Sequence, residues 1–196
     1  MKHFSPKNLL TVALVCGWLL AAGFGIWRLT AYSFTPGEQG VPPSQWPEGT
    51  ALQRNPQGFT AVVALHPECP CSEATLEELD SIVAQSAGRL QARVLFEELP
   101  GLPPVEESPR WKQALRITHV VVAKDPNGRE AHRFGARTSG ETRLYGPDGN
   151  LLFHGGITGS RGHAGDNPGQ AAVVDLITHP APFAAPLTAP VFGCSL

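Results

Sequence analysis

The stretch Thr60-Ala61-Val62-Val63-Ala64-Leu65-His66-Pro67-Glu68-Cys69-Pro70-Cys71-Ser72-Glu73 decides the fold. Its first six residues form a short β-branched, apolar run bounded by Gly58 and Pro67, the pattern of a strand buried on both faces. Helical spacing takes over directly afterwards. Leu76, Leu79, Ile82 and Val83 recur three and four apart, Glu73, Glu77 and Glu78 load the early turns, and Gly88 supplies a stop. The order is therefore strand, cysteine-containing turn, helix. Pro70 has a φ suited to the first helical position and lacks the N–H that would be orphaned there, which predicts Cys69 as the N-cap and Cys71 in the first turn.

Further along the chain the pattern continues to alternate. A strand is predicted around Ala92–Phe96, a Pro-rich loop through Pro109, a short helix over Arg110–Leu115 and a strand at Val120–Ala123. A brief helical stretch, Arg129–Phe134, leads to Thr138-Ser139-Gly140. Thr142–Tyr145 and Leu151–His154 flank Gly146-Pro147-Asp148-Gly149-Asn150 and read as a β-hairpin, and a last apolar helix spans Gln170–Ile177. Alternating strands and helices closed by a hairpin predict an α/β sandwich of three layers around a mixed central sheet.

Before this domain the chain carries a membrane address. Asn8 to Trp27 is a run of 20 uncharged, mostly apolar residues, long enough to cross the hydrocarbon of a bilayer. Lys2, Lys7 and the terminal amine precede the run while only Arg28 follows closely. That bias predicts a cytoplasmic N-terminus and a single pass through the inner membrane, with the C-terminal domain on the periplasmic or extracytoplasmic side. A cleaved signal peptide, with Ala21 and Gly23 as its small residues, is the rival reading, and the apolar run through Trp27 favours the uncleaved anchor. Cys16 lies inside the run as an apolar filler. The predicted organisation is an anchor over residues 1–32, a Pro/Gly-rich tether over 33–58, a domain over 59–179 and a Pro-rich tail over 180–196 that ends near Cys194.

Composition narrows the function. The chain of 196 residues has 21 Gly and 19 Pro, which makes it loop-rich, yet 42% hydrophobic residues suffice for a core. Fifteen Lys and Arg against 17 Asp and Glu give a net charge of -2, with no basic excess to neutralise phosphates, so no nucleic-acid partner is expected. Cys16, Cys69, Cys71 and Cys194 are too few for a disulfide scaffold and too unevenly spaced for a four-thiolate zinc site.

The order strand, cysteine turn with Pro70, helix, strand, helix, turn and hairpin resembles the thioredoxin fold, particularly its membrane-tethered exported members, over about Phe59 to His179. In that resemblance Phe134-Gly135-Ala136-Arg137-Thr138-Ser139-Gly140 matches the stretch leading to a cis-proline that faces the active cysteines, and Gly140 stands at the proline position. His66-Pro67-Glu68-Cys69-Pro70-Cys71-Ser72, Gly155-Gly156-Ile157-Thr158, Arg161-Gly162-His163, Gly165-Asp166-Asn167 and Val191-Phe192-Gly193-Cys194 are together similar to the RedB-like proteins, a thioredoxin-like group. The RedB-like resemblance implies a fold and not a reaction; the wider resemblance to the thioredoxin fold implies thiol-disulfide exchange with the protein thiols or disulfides of an exported redox partner.

The residues point the same way. A thiol at a helix start feels unsatisfied N–H groups and the positive dipole end, which favour the nucleophilic thiolate. Cys69 is best placed for that role, with Cys71 or Cys194 to resolve the mixed disulfide. One residue between Cys69 and Cys71 makes a small ring, and strained disulfides are the labile, oxidising ones. Cys194 leaves an odd number of exported cysteines, and the tail from Pro180 to Pro190 has the composition of a strap that would carry it back to the Cys69 turn, as a resolving thiol, as a third metal ligand or in a disulfide that pins the tail. Gly155 and Gly156 are expected to let a bound peptide approach closely, and Arg161 and His163 to stabilise a thiolate or an anion. Asp166 or Asn167 is expected to cap the final helix. No cofactor is required on this reading. Cu(I) held by Cys69, Cys71 and His66 is the alternative, by analogy with thioredoxin-fold proteins that deliver copper to respiratory oxidases. A noncatalytic binding module is the third.

Overall fold

The computed structural model describes residues 6–180 and 185–196, in two units. The first holds helix α1 (Pro6–Ser33). Asn8–Ser33 has a mean hydropathy of 2.2, and none of its most apolar window is covered by protein. Leu10, Leu14, Trp18, Leu20 and Ile26 are all exposed. Such a helix, apolar all round, is matched to lipid rather than to water. It is long and apolar enough to cross a membrane.

The second unit runs from Pro36 to Leu196. In chain order it contains β1 (Phe59–Leu65), α2 (Cys71–Gln85), β2 (Leu90–Glu98), a 3-10 turn (Val105–Glu107), α3 (Pro109–Ala114), β3 (Val120–Pro126), α4 (Arg129–Arg133), β4 (Thr142–Tyr145), β5 (Leu151–Gly155), α5 (Pro168–Thr178) and β6 (Leu187–Ala189). The predicted elements are therefore present, and β6 is added from the tail. The sheet order is β3-β2-β1-β4-β5-β6. β1, β2 and β3 are parallel, β4 lies antiparallel between β1 and β5, and β6 pairs parallel to β5.

β1 lies in the interior of the sheet and all seven of its residues are buried, as its continuous apolar run predicts. Ala61, Val63 and Leu65 share a core with Leu76, Leu79 and Ile82 of α2 and Val173, Leu176 and Ile177 of α5. Val62 and Ala64 belong to a second core with Leu95, Ala131, Phe134 and Tyr145. The five-residue α4 is too short to cover that second face. Residues 36–58, read from sequence as a tether, supply the rest of the cover. Trp46 stacks edge-on against Phe134 at 5.0 Å and Tyr145 at 5.3 Å, its main-chain N–H donates to Gly149 O at 2.8 Å, and Leu151 N–H donates to Ser44 O at 2.9 Å.

A buried ion pair ties these parts together. Arg143 Nη2 lies 3.1 Å from Glu141 Oε1, with both side chains essentially inaccessible. Glu141 Oε1 also accepts from Gly40 N–H at 3.3 Å, and Oε2 accepts from the N–H groups of Arg137 and Thr138. Arg143 Nε donates to Phe134 O at 2.9 Å and Nη2 to Gly135 O at 2.6 Å. Removing one partner of a buried pair leaves an uncompensated charge. Glu141→Leu is therefore expected to cost about 3–5 kcal/mol in chemical denaturation, and the double substitution with Arg143→Met to recover part of that loss.

Candidate active site

The site begins where β1 ends. Beyond Leu65 the chain turns through His66, Pro67 and Glu68, with Cys69 N–H donating to His66 O at 3.2 Å. Two fully buried hydroxyls pin this turn. Ser139 Oγ accepts from His66 N–H at 2.9 Å, Ser72 Oγ donates to His66 O at 2.9 Å, and the two hydroxyl oxygens are 3.0 Å apart. Helix α2 starts at Cys71 with Pro70 as its N-cap, at φ -58 and ψ -30. This corrects the sequence expectation by one residue. Pro70 already has helical angles, so Cys69 sits just outside the helix rather than as its cap.

Cys69 is 1% exposed, and three groups of donors converge on its sulfur. The Cys71 thiol, the Cys194 thiol and the main-chain N–H groups of Cys194 and Cys71 all direct hydrogen bonds to it, with Cys194 N at 3.4 Å from Cys69 Sγ. The hydrogen bond from Cys71 is the largest influence, and together these donors outweigh burial to hold the Cys69 thiol down from 9.0 to about 4. The proton is retained by its neighbours. The bond to Cys69, burial and the charge on Cys69 push Cys71 up, while burial first and then the bond to Cys69 raise Cys194 to about 11. One thiolate with two thiols as donors is a nucleophile ready for attack, with a proton source on each side.

Cationic groups surround the cluster. Arg161 donates from Nη1 to Gly193 O, and its charge favours ionisation of both Cys71 and Cys194. Arg110, in the first turn of α3, donates from Nη1 to Pro67 O at 3.0 Å, and its charge acts on Cys194.

The structure thus brings Cys69, Cys71, Cys194 and Arg161 together, and sets the other sequence candidates elsewhere. Gly140 has φ +94 with no cis peptide bond, donates its N–H to Ala64 O at 2.8 Å, and would place a Cβ 2.9 Å from Thr75 Oγ1 of α2. It therefore anchors its loop between β1 and α2. Gly155 and Gly156, expected to face a bound peptide, face the chain's own tail instead: a Cβ on them would stand 2.1 Å from Ala189 O and 2.6 Å from Pro190 O. His163 is exposed, with Nδ1 2.7 Å from Arg161 O. Asn167 caps α5 by accepting from Gln170 N–H at 2.9 Å. His66 commits Nδ1 to Glu68 N–H at 3.1 Å. Among the described residues no group of three or more His, Cys, Asp or Glu is disposed to hold a metal ion.

Sequence reasoning missed Ser72, Ser139 and Arg110. The first two flank residues already singled out, Cys71 and Gly140. Arg110 carried no local signal, because α3 reaches the turn only through the fold.

No protein-family model matches the sequence, and no curated protein matches it. Solved structures do. A hypothetical protein from Sinorhizobium meliloti is 19% identical over 83% of this chain and 94% of its own, with a TM-score of 0.57. An uncharacterised conserved protein from Geobacillus kaustophilus is 18% identical over 83% and 91%, with a TM-score of 0.56. A secreted disulfide oxidoreductase of Mycobacterium tuberculosis is 11% identical over 62% and 81%, with a TM-score of 0.44. The fold is thioredoxin-like, with the cysteine turn at the end of β1 and the antiparallel hairpin beyond it. The comparisons do not single out the RedB-like group within it.

Because the depressed acidity of Cys69 rests on donors from two other cysteines, it has a direct readout. Alkylation of Cys69 should stay at its plateau from neutral pH downward and fall only as the pH approaches about 4. Cys71→Ala and Cys194→Ala should each move that midpoint upward by about one to two pH units, the equivalent of one hydrogen bond to a charged group.

Proposed function

We propose that this chain is a membrane-anchored, exported thiol-disulfide oxidoreductase. The observation that supports it best is the Cys69 sulfur, buried at the Cys-Pro-Cys turn and receiving hydrogen bonds from two further thiols. In the proposed reaction the Cys69 thiolate attacks one sulfur of a partner disulfide. A Cys69–partner disulfide forms, the partner's own S–S bond breaks, and the leaving thiolate takes a proton from Cys71 or Cys194. The thiolate so formed then attacks Cys69, forming an internal disulfide and releasing the second partner sulfur as a thiolate, which takes a proton from solvent. Two electrons pass from the chain to the partner and the sulfurs carry them all, so no cofactor enters. The reverse sequence oxidises a partner dithiol. Lys2 and Lys7 before the apolar helix, against Arg28 after it, support an inner-membrane anchor with the domain on the periplasmic side.

The test is a titration of the full chain in detergent against glutathione buffers, read by thiol alkylation and mass. A reversible two-electron transition is expected, abolished by Cys69→Ser, with a trapped mixed disulfide accumulating in whichever of Cys71→Ser or Cys194→Ser lacks the resolving thiol. Stoichiometric Cu(I) binding that blocks alkylation of Cys69 and Cys71, without such a transition, would establish the copper carrier instead. Neither response would leave a noncatalytic binding module.

A further inference from the structure

The tail reaches Cys69 in a specific way. Residues 194–196 run antiparallel to residues 137–139: Ser139 N–H donates to Cys194 O at 2.8 Å, Leu196 N–H donates to Arg137 O at 2.9 Å, and Thr138 pairs with Ser195. Upstream, Arg161 holds Gly193 O, Gly37 N–H donates to Val191 O at 2.8 Å, and Val191 and Phe192 are buried. The residue before the cysteine has no room for a side chain. A Cβ on Gly193 would stand 1.9 Å from Ser139 O and 3.1 Å from Thr138 Cγ2. The result is a short added strand that delivers a sulfur to Cys69.

A partner polypeptide that presents a disulfide to Cys69 has the same needs. Its sulfur must lie against Cys69 Sγ, and its main-chain groups, once out of water, must find partners. Ser139 N–H and Arg137 O are the main-chain groups beside the thiolate that supply them, and both are taken by the tail. We infer that residues 191–196 are a tethered stand-in for substrate. They occupy the strand position of the partner, and the partner is an extended segment whose disulfide-bonded cysteine is preceded by glycine and by apolar residues, as in Val191-Phe192-Gly193-Cys194. Strand addition gives such a contact its affinity, and the side-chain positions give its specificity. A tethered competitor lowers the partner's apparent affinity by the fraction of time that the position is free. This inference rests on the thiol-exchange reading above.

The test uses the full chain and three aryl disulfides: a hexapeptide copying residues 191–196, its counterpart with alanine in place of the glycine, and 2-mercaptoethanol. Attack by Cys69 on the aliphatic sulfur joins it to Cys69 and releases the coloured aryl thiolate. On the unmodified chain the glycine peptide is expected to react about tenfold faster than the alanine peptide, the equivalent of one lost main-chain hydrogen bond. A chain ended after Cys194 loses the Leu196 bond and the Ser195 pairing. It is expected to react about fivefold faster with the glycine peptide and at an unchanged rate with the 2-mercaptoethanol disulfide. Equal rates for the two peptides overturn the inference, and this comparison needs no variant to fold. Equal acceleration of the small disulfide also overturns it, since the tail would then be only a shield over the sulfur. Absence of Cys69-dependent release from all three overturns the thiol-exchange reading and this inference with it.

Discussion

The Glu141–Arg143 pair is the constraint on which the rest of the domain depends. Two buried charges carry a desolvation cost that only multiple hydrogen bonds offset. The carboxylate and guanidinium here reach Gly40, residues 134–138 and one another. Two segments, one around Gly40 and one over residues 134–138, are therefore fixed beside strand β4. One of them leads into Ser139, whose hydroxyl holds His66 and whose N–H holds Cys194. The acidity of Cys69 is in this sense built on a carboxylate that never touches it.

The sulfur cluster concentrates two thiols around one thiolate. Burial opposes that charge, and the hydrogen bonds from Cys71 and Cys194 and two N–H groups outweigh it. The proton thereby kept on Cys71 and Cys194 makes them hydrogen-bond donors to the Cys69 sulfur. Arg161 and Arg110 add positive potential, and the main-chain bonds they make to Gly193 and Pro67 hold the segments on either side of the cluster.

Local pattern carried most of the fold. β1 was legible because continuous β-branched residues bury on both faces, and α2, α3 and α5 because apolar spacing and capping agree with one another. β6 was not, because three residues between prolines have no period to read, and only the open edge of β5 makes them a strand. The cover provided by residues 36–58 was likewise hidden. Prolines and glycines there read as a linker, yet Trp46 has two aromatic rings to meet and Gly40 lies so close to Gly135 that a Cβ would stand 1.8 Å from its carbonyl oxygen. At the site, the chemistry of Cys69 could be argued from a helix start. The roles of Gly155 and Gly156 could not, because close approach is visible in a glycine pair but the approaching chain is not.

The pairing of Cys194 with Cys69 spans 125 residues of chain. Most of the sheet lies between them, and so does the closure entropy of a long loop. The full set of donors to the thiolate is therefore complete only where β1, β4 and β5 are in register and the tail is docked. Until then Cys69 lacks one of its two thiol donors and a main-chain N–H, and its sulfur keeps more of the proton. A chain whose tail has not yet docked thus carries a less acidic thiol, and the same docking that acidifies Cys69 closes the strand position beside it.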